Sequence, residues 1–333
     1  MRAVVLQGHG DLDQLVYHEN FPDPEIRADE VLVRVRAVSV NYHDVFTRRG
    51  MPGIKINFPL ITGSDVAGEI LEIGTEVRGW RVGDRVLIDP VRYGDRMYLL
   101  GEGCHGGKAE LVCVAGSQLI RIPEEAGFRE AACIPLAYGT AHRMLVTRGK
   151  IGPADRVLIL GASGGVGTAC VQLCKLAGAR VAACAGSADK LTVLSRLGAD
   201  HLINYKEEDV VSAVARIWGK PKVIDLKGEA GATVVINFTG GDTWMPSLRC
   251  LATNGRLLTC GATAGFDARM DLRFLWTFQY DIVGSNGWMP DDLRRMLDLV
   301  ASGSIRPLID RVLPLEQSIW RSEERRVGKE CRS

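Results

Sequence analysis

Apolar residues follow two different patterns along the chain. Up to about residue 120, short runs alternate apolar and polar side chains, as in 30–37 (EVLVRVRA), 65–73 (DVAGEILEI) and 84–89 (DRVLID). Alternation with a period of two is typical of strands that bury one face. The first part of the chain is therefore predicted to be rich in β-structure.

The pattern changes near Glu124, where residues 128–147 predict one long helix. Beyond it, short apolar runs alternate with segments of helical spacing. The predicted strands are 157–160, 180–185, 201–205, 233–238, 256–260 and 281–284. Strands that alternate with helices in this way predict a doubly wound parallel sheet.

The last part of the chain predicts a return to the first domain. Residues 291–301 have the spacing of an amphipathic helix, and 311–315 (RVLPL) resume the strand-like pattern. We therefore predict an α/β protein in which a doubly wound parallel-sheet (Rossmann) cofactor domain is inserted in a β-rich domain. The predicted boundaries are 1–124 and 288–320 for the β-rich domain and 125–287 for the cofactor domain.

Residues 321–333 depart from both patterns. The segment RSEERRVGKECRS is charged and nearly devoid of apolar residues. It resembles the in-frame translation of a short-read sequencing adapter. We expect it to be a non-native tail that carries no function.

A glycine-rich turn joins the strand 157–160 to a helical segment. Its frame reads A-x-G-x-x-G and consists of Ala162, Ser163, Gly164, Gly165, Val166 and Gly167. Glycines let the backbone approach a pyrophosphate, and the helix N-terminus presents unpaired N–H groups to it. Such a motif is weak alone, but its place between a buried strand and a helix predicts a dinucleotide site.

The end of the second strand of this domain indicates which dinucleotide is bound. NAD-binding sheets usually carry an acidic residue there, which binds the ribose 2′-hydroxyl. The segment 182–187 (AACAGS) has none, whereas Ser187 and Lys190 offer a hydroxyl and a cation. Both groups suit a 2′-phosphate, so NADPH is the predicted cofactor.

Composition excludes several other classes of protein. Basic and acidic residues number 41 and 40, which gives no reason to expect a nucleic acid or a membrane as partner. No apolar stretch approaches the roughly 20 residues that span a bilayer, and the N-terminal apolar run is too short for a signal peptide. The nine cysteines form no C-x-x-C pair. We expect a cytoplasmic protein with reduced thiols.

Several segments together resemble the medium-chain dehydrogenase/reductase superfamily, over roughly residues 1–320. They are 40–44 (VNYHD), 62–68 (TGSDVAG), 82–86 (VGDRV), 162–167 (ASGGVG), 198–205 (GADHLINY) and 255–262 (GRLLTCGA). The resemblance is strongest to its zinc-independent quinone oxidoreductase and acryloyl-CoA reductase-like branch. It implies that the β-rich part is a GroES-like catalytic domain.

The resemblance also implies that this chain binds no metal. Zinc alcohol dehydrogenases hold their catalytic ion with a Cys, a His-Glu pair and a further Cys or Asp. The matching positions here are Asn41, Ser64–Asp65 and Leu136, which cannot form a tetrahedral N/S site. The four-cysteine structural zinc lobe is missing as well, with Cys104 and His105 alone in that region.

Without a metal to polarise a carbonyl, the acceptor must itself be electron-poor. The predicted reaction is hydride transfer from NADPH to a quinone or to an α,β-unsaturated carbonyl, either an enone or an enoyl (acryloyl) thioester. The resemblance implies Asn41, Tyr42 and His43 as the candidate catalytic residues, because the matching turn faces the nicotinamide in the relatives. Asn41 would orient the nicotinamide or the acceptor oxygen, Tyr42 would donate to an oxyanion, and His43 would relay a proton. Alternatively, Tyr42 only packs and His43 faces solvent.

The remaining candidates concern the cofactor. In NADPH-dependent quinone reductases, residues matching Lys190 and Tyr205 contact the 2′-phosphate, and one matching Thr140 lies near the nicotinamide. A threonine buried in a helix is the alternative there. Gly240, Gly261, Ala262, Ser285 and Asn286 follow predicted strands at the carboxyl edge of the sheet, where such folds bind ligands.

Two other functions stay open at this point. One is an alcohol or aldehyde dehydrogenase of the same fold, and the other is an NADPH-binding protein with little turnover. The expected partner is a small electrophilic molecule. The resemblance further implies a homodimer or a homotetramer.

Overall fold

The structure, a computed structural model, describes residues 1–51, 53–94, 97–223 and 229–320. Within this part, the chain forms two compact units, one made of 1–136 and 293–320, the other of 137–292. They are called the first and the second unit below. Residues 321–333, which we expect to be non-native, lie outside the described residues.

The first unit is built on antiparallel strands. These are β1 (Ala3–Leu6), β2 (Leu15–His18), β3 (Glu30–Ser39), β4 (Leu60–Ile61), β5 (Asp65–Ile73), β6 (Arg85–Ile88), β7 (Val91–Arg92), β8 (Tyr98–Leu99), β9 (Leu111–Ala115) and β10 (Leu119–Arg121). Helices α1 (Tyr42–Arg49) and α2 (Phe128–Ala132) accompany them. The main sheet has the order β10-β6-β5-β3-β9, and β2-β1-β4 form a second sheet. The predicted β-rich character is confirmed.

Alternating side chains of the main sheet form the core of the first unit. On β3, Val31 and Val33 are fully buried, and Val66 and Ile70 on β5 pack in the same cluster. The register Val38↔Val66 and Ser39↔Asp65 brings the end of β3 beside the start of β5. Polar residues just beyond the end of β3 are thereby held next to Asp65.

The second unit contains six parallel strands with helices between them. The strands are β11 (Arg156–Ile159), β12 (Arg180–Ala185), β13 (His201–Asn204), β14 (Ala232–Ile236), β15 (Leu251–Thr259) and β16 (Asp281–Gly284). The helices are α3 (Thr140–His142), α4 (Gly165–Leu176), α5 (Ala188–Arg196), α6 (Val210–Trp218), α7 (Trp244–Cys250) and α8 (Arg273–Phe278). Helix α9 (Pro290–Ala301) follows, and the division between the units falls within it.

The order β13-β12-β11-β14-β15-β16, with every neighbouring pair parallel, is that of a doubly wound nucleotide-binding sheet. The predicted fold class and all six predicted strands are confirmed. The fully buried Val157, Leu158 and Ile159 explain the unbroken apolar run of β11, because a central parallel strand is covered on both faces.

Two predicted elements are wrong. The single helix predicted for 128–147 is divided, since wider π-helical turns at Ile134–Gly139 and Arg143–Arg148 flank α3. Pro135 lies in the first of them, where its missing N–H removes a helical hydrogen bond. No strand forms at 311–315 in the described chain, where Val312 is 55% exposed and Pro314 cannot donate to a neighbour.

A search of the described helices finds none with both the length and the apolar character needed to cross a membrane.

Candidate active site

The glycine-rich turn after β11 leaves the N-terminus of α4 without a side-chain cap. Gly164 is the N-cap residue, and α4 begins at Gly165. The first N–H groups of a helix have no partner within it, so they can donate to an anion. A Cβ on Gly167 would lie 2.4 Å from the carbonyl oxygen of Gly161, so α4 reaches this position only because Gly167 has no side chain.

The residues predicted to bind the cofactor lie along one edge of the parallel sheet. Each follows the carboxyl end of a strand, either directly or within the first turn of the next helix. In sheet order from β13 to β16 they are Tyr205; Ser187 and Lys190; Ala162, Ser163, Gly164, Gly165, Val166 and Gly167; Gly240; Gly261 and Ala262; and Ser285 and Asn286. Thr140 differs from the others because it begins α3, where it is 8% exposed. That position accords with the alternative of a helix-buried threonine.

Tyr205 and Ser187 lie close together at this edge. A Cβ on Gly186 would be 2.7 Å from the Tyr205 hydroxyl and 3.1 Å from Cε of Lys206, so both side chains lie against the residue that precedes Ser187. Ser187 is the N-cap of α5, yet its hydroxyl makes no capping hydrogen bond. Lys190 lies in the first turn of the same helix. This arrangement offers hydroxyls and cations at a helix N-terminus.

A bound dinucleotide fits this edge of the second unit. Besides the uncapped N-terminus of α4, the hydroxyl of Ser285 is buried and has no hydrogen-bond partner within the described chain. A buried polar group left unpaired costs about 1–3 kcal/mol, which a ligand can relieve. The backbone N–H of Ser285 donates to the carbonyl oxygen of Thr259 at 2.9 Å, which fixes the residue at the end of β16.

In the first unit, Asn41 stands at the start of α1 and is 6% exposed. Its backbone N–H donates to Oδ2 of Asp44 at 2.8 Å, an interaction that stabilises the first turn of the helix. Its side-chain Nδ2 donates to Oδ2 of Asp65 at 2.8 Å and approaches Oγ of Ser39 at 3.4 Å. The amide nitrogen of Asn41 is therefore engaged by the protein itself.

Asp65, at the start of β5, is fully buried. Besides Asn41, it accepts hydrogen bonds from Oγ of Ser39 at 3.1 Å and from the backbone N–H of Leu136 at 3.1 Å. Burial raises the pKa of Asp65 to about 7, although the hydrogen bonds from Asn41, Leu136 and Ser39 oppose the rise. This carboxyl group can therefore hold a proton near neutral pH.

His43 is paired rather than turned to solvent. Its Nε2 lies 2.6 Å from Oε2 of Glu102, and the two side chains are 26% and 18% exposed. Burial disfavours the charged imidazole, but the hydrogen bond and the charge of Glu102, together with the charges of Asp44 and Asp65, outweigh it, so the pKa of His43 is raised. Tyr42 packs edge-on against Phe46 with ring centroids 4.9 Å apart, which accords with the packing alternative for that residue.

Several residues described above in the two units were missed by the sequence analysis. Glu102 lies in an irregular segment and meets His43 across 59 positions of the chain, so no local pattern signals the pair. Lys108 is 1% exposed, and its Nζ lies 3.6 Å from Oδ1 of Asp44. Lys206, next to Tyr205, could have been found by the charge argument that identified Lys190.

Comparisons with known proteins agree with both parts of this description. Residues 27–124 match the family described as "Alcohol dehydrogenase GroES-like domain", and residues 165–302 match "Zinc-binding dehydrogenase". A crotonyl-CoA carboxylase/reductase of Cereibacter sphaeroides is 30% identical, over 85% of this chain and 74% of its own. This chain is a member of the medium-chain dehydrogenase/reductase superfamily. Within it, the chain belongs to the zinc-independent quinone oxidoreductase and enoyl reductase-like branch.

A further relative and two solved structures also match most of this chain. Quinone oxidoreductase-like protein 2 of Bos taurus is 30% identical, over 91% of this chain and 83% of its own. The solved structure of an NAD-dependent alcohol dehydrogenase is 33% identical with a TM-score of 0.90, covering 99% of this chain and 97% of the other. That of a 2-octenoyl-CoA carboxylase reductase in complex with NADP and 2-octenoyl-CoA is 28% identical with a TM-score of 0.84, covering 98% and 85%. The protein is an oxidoreductase that uses a nicotinamide cofactor.

The positions that match zinc ligands in the alcohol dehydrogenases hold a hydrogen-bonded cluster here. Asn41 donates its amide to Asp65, and Leu136 contributes only its backbone N–H. The hydroxyl of Ser64 is buried with no partner in the part of the chain that the structure describes. These groups do not supply the imidazole and thiolate ligands that a catalytic zinc requires.

The pairing of His43 with Glu102 predicts the effect of removing the carboxylate. In Glu102→Gln, we expect the pKa of His43 to fall, because a neutral amide stabilises the charged imidazole less than a carboxylate does. An NMR titration of the His43 ring measures this. Glu110→Gln, which removes the partner of Arg2 in the same unit, is the control and should leave His43 unchanged. An unchanged His43 midpoint in Glu102→Gln would contradict the pairing.

Proposed function

We propose that the protein is a zinc-independent, NADPH-dependent oxidoreductase that reduces a quinone or an α,β-unsaturated carbonyl, either an enone or an enoyl thioester. The observation that carries the proposal is the cluster around Asp65, which has hydrogen-bonding groups at the positions of the zinc ligands. A crotonyl-CoA carboxylase/reductase and a quinone oxidoreductase-like protein among the relatives support this choice of acceptors.

The acceptor must be electrophilic because these residues offer no Lewis acid. When NADPH is bound, it supplies a hydride from C4 of its nicotinamide ring. In an enone or enoyl thioester, the hydride adds to the β-carbon and the electrons of the double bond move to the carbonyl oxygen. The resulting enolate then takes up a proton at its α-carbon, which gives the saturated product. In a quinone, the electrons and protons end on the two oxygens.

The proton would come from His43. Its pKa is raised by Glu102, so its imidazolium form persists to a higher pH than that of an isolated histidine. A residue of this kind donates a proton in one protonation state and recovers it from water afterwards. Tyr42 is the candidate donor to the developing oxyanion. Asn41, whose amide nitrogen faces Asp65 and Ser39, is the candidate to orient the nicotinamide through its Oδ1.

NADPH rather than NADH is proposed from the groups that follow β12 and β13. Ser187, Lys190, Tyr205 and Lys206 provide hydroxyls and cations there, and the segment 182–187 has no carboxylate to repel a 2′-phosphate. The related 2-octenoyl-CoA carboxylase reductase whose structure contains NADP supports the same choice.

The function is tested by a panel of acceptors. The purified protein should oxidise NADPH with a quinone, an enone or crotonyl-CoA, and should be much slower with ketones and aldehydes. Quinones and α,β-unsaturated carbonyls are electrophilic enough to accept a hydride without a Lewis acid, whereas simple ketones and aldehydes are not. Steady-state absorbance of NADPH measures this, together with elemental analysis for zinc. Stoichiometric zinc with ketone reduction would favour an alcohol dehydrogenase. NADPH binding without turnover of any acceptor would indicate an NADPH-binding protein rather than an enzyme.

Cofactor choice is tested by Ser187→Asp, which places a carboxylate at the position where NAD-binding sheets carry one. We expect the KM for NADPH to rise about 10-fold or more, because a charged contact to phosphate is worth about 1.5–3 kcal/mol. The KM for NADH should not rise. Arg196→Ala, at the exposed far end of α5, is the control and should change neither value. A preference of the wild-type protein for NADH would refute the proposal.

We also propose that the protein is a homodimer or a homotetramer that assembles through the edge strand β16. Edge strands expose unpaired backbone groups that favour pairing with another chain. In β16 and in the segment between β15 and β16, large apolar side chains are exposed, with Ile282 at 39%, Trp276 at 67%, Leu272 at 58% and Phe266 at 93%. Exposed apolar surface of this kind marks an interface.

Assembly is tested by placing a charge on this edge. Ile282→Lys should lower the mass measured by sedimentation velocity by half or more, because a buried lysine would oppose the contact. Leu202→Lys is the control, since Leu202 is 37% exposed on β13, the opposite edge strand of the same sheet. A monomeric wild-type protein, or dissociation by the control alone, would contradict the proposal.

A further inference from the structure

Three carboxylates and two basic side chains surround the start of α1. Glu102 pairs with His43 at 2.6 Å, and Asp44 pairs with Lys108 at 3.6 Å. Asp65 is the third carboxylate, and within the described residues no basic group lies within 4 Å of it. The fully buried member of this group is thus the one without an ionic partner.

Asp65 is held by neutral donors instead. The amide of Asn41, the hydroxyl of Ser39 and the backbone N–H of Leu136 all donate to it, at 2.8–3.1 Å. These donors come from the end of β3, the start of α1 and the segment after α2. One side chain therefore ties together three separate parts of the first unit. Two of them include positions that match zinc ligands in the alcohol dehydrogenases.

The contact with Asp65 determines which end of the Asn41 amide is offered to a ligand. An ionised carboxylate only accepts hydrogen bonds, so the NH2 end of Asn41 must face it and the carbonyl Oδ1 points away from it. A neutral carboxyl group also has an O–H donor, so it can pair with either end of the amide, accepting from Nδ2 or donating to Oδ1. Burial brings the pKa of Asp65 to about 7, so both states are accessible near neutral pH.

We propose that Asp65 is a positioning residue that replaces the metal of the zinc enzymes by hydrogen bonds, holding Asn41 and the backbone of Leu136 and fixing which end of the Asn41 amide faces a bound ligand. The role of Asp65 in reduction rests on the function proposed above. The hydrogen bonds that Asp65 accepts are independent of that function.

The geometry is tested first without cofactor or substrate, by NMR of the side-chain amide of Asn41 in the full chain, with Asn41→Ala used to assign the signal. In the wild-type protein, we expect this signal to shift with a midpoint near pH 7. In Asp65→Asn the shift should vanish. In Ser39→Ala the midpoint should rise, because loss of a donor disfavours the ionised carboxylate.

The other charged groups near Asp65 are Asp44, Lys108, His43 and Glu102. A further variant distinguishes the titration of His43 from that of Asp65. Glu102→Gln lowers the pKa of His43 and should shift the ring signal of His43 far more than the amide signal of Asn41. The proposal would be overturned if the pH-dependent shift of the Asn41 amide signal persisted in Asp65→Asn, or if its midpoint followed that of His43.

The role in turnover is tested next. In Asp65→Asn, kcat should fall about 10-fold or more, a loss similar to that seen when residues that orient metal ligands are replaced. The Kd for NADPH should stay unchanged. The pH profile of kcat should lose its ionisation near 7. Asp89→Asn is the matched control, because Asp89 is also a buried carboxylate of the first unit that accepts a backbone hydrogen bond, from Val91. It should alter thermal stability without changing the pH profile.

The two proposals fail in different ways. If the wild-type protein reduces none of the acceptors, the proposed function is wrong, and the NMR titration still decides whether Asp65 positions Asn41. If the wild-type protein is active and Asp65→Asn retains its kcat and its pH profile, the function stands and the role of Asp65 is refuted.

Discussion

The close approach of α4 to β11 is the constraint on which the second unit depends. Any side chain on Gly167 would collide with the carbonyl of Gly161, so the glycines let the helix begin directly above the strand end. Since all six strands run parallel, the same edge also collects the turns after the other strands. One sterically enforced turn therefore defines a candidate anion site, and the topology brings hydroxyls, cations and glycines to that edge.

The first unit is subject to a different constraint, because it buries the carboxyl group of Asp65 where the zinc enzymes place a cation. A buried carboxylate without a counter-ion is costly unless hydrogen bonds replace its hydration. Asp65 receives three such bonds, and Asp44 and Glu102 have Lys108 and His43 as ionic partners. The polar groups of this site therefore act as one network. A change at Asp65 is expected to affect Asn41 directly and His43 only through its charge.

Sequence reasoning found the parts of the molecule whose causes are local. Strand periodicity and the glycine turn are set by neighbours in the chain, so the parallel sheet and its cofactor edge could be predicted. The divided helix at 128–148 could be suspected from Pro135 alone, but its π-helical turns depend on packing. The strand expected at 311–315 failed because its apolar side chains find no partner strand in the described residues.

The polar network around α1 escaped prediction for a related reason. Its contacts join residues 24, 59 and 71 positions apart, and hydrogen bonds of such range leave no periodic trace in one sequence. Zinc ligands are recognisable because a metal demands particular residue types, whereas a hydrogen-bonded carboxylate accepts an amide, a hydroxyl or a backbone N–H equally well. Leu136 contributes only its backbone N–H, so this contact places little demand on its side chain, whereas the geometry of the hydrogen bond stays demanding. Under the proposed function, the acceptor carries its own electrophilicity, so hydrogen bonds can take the place of a metal at these positions.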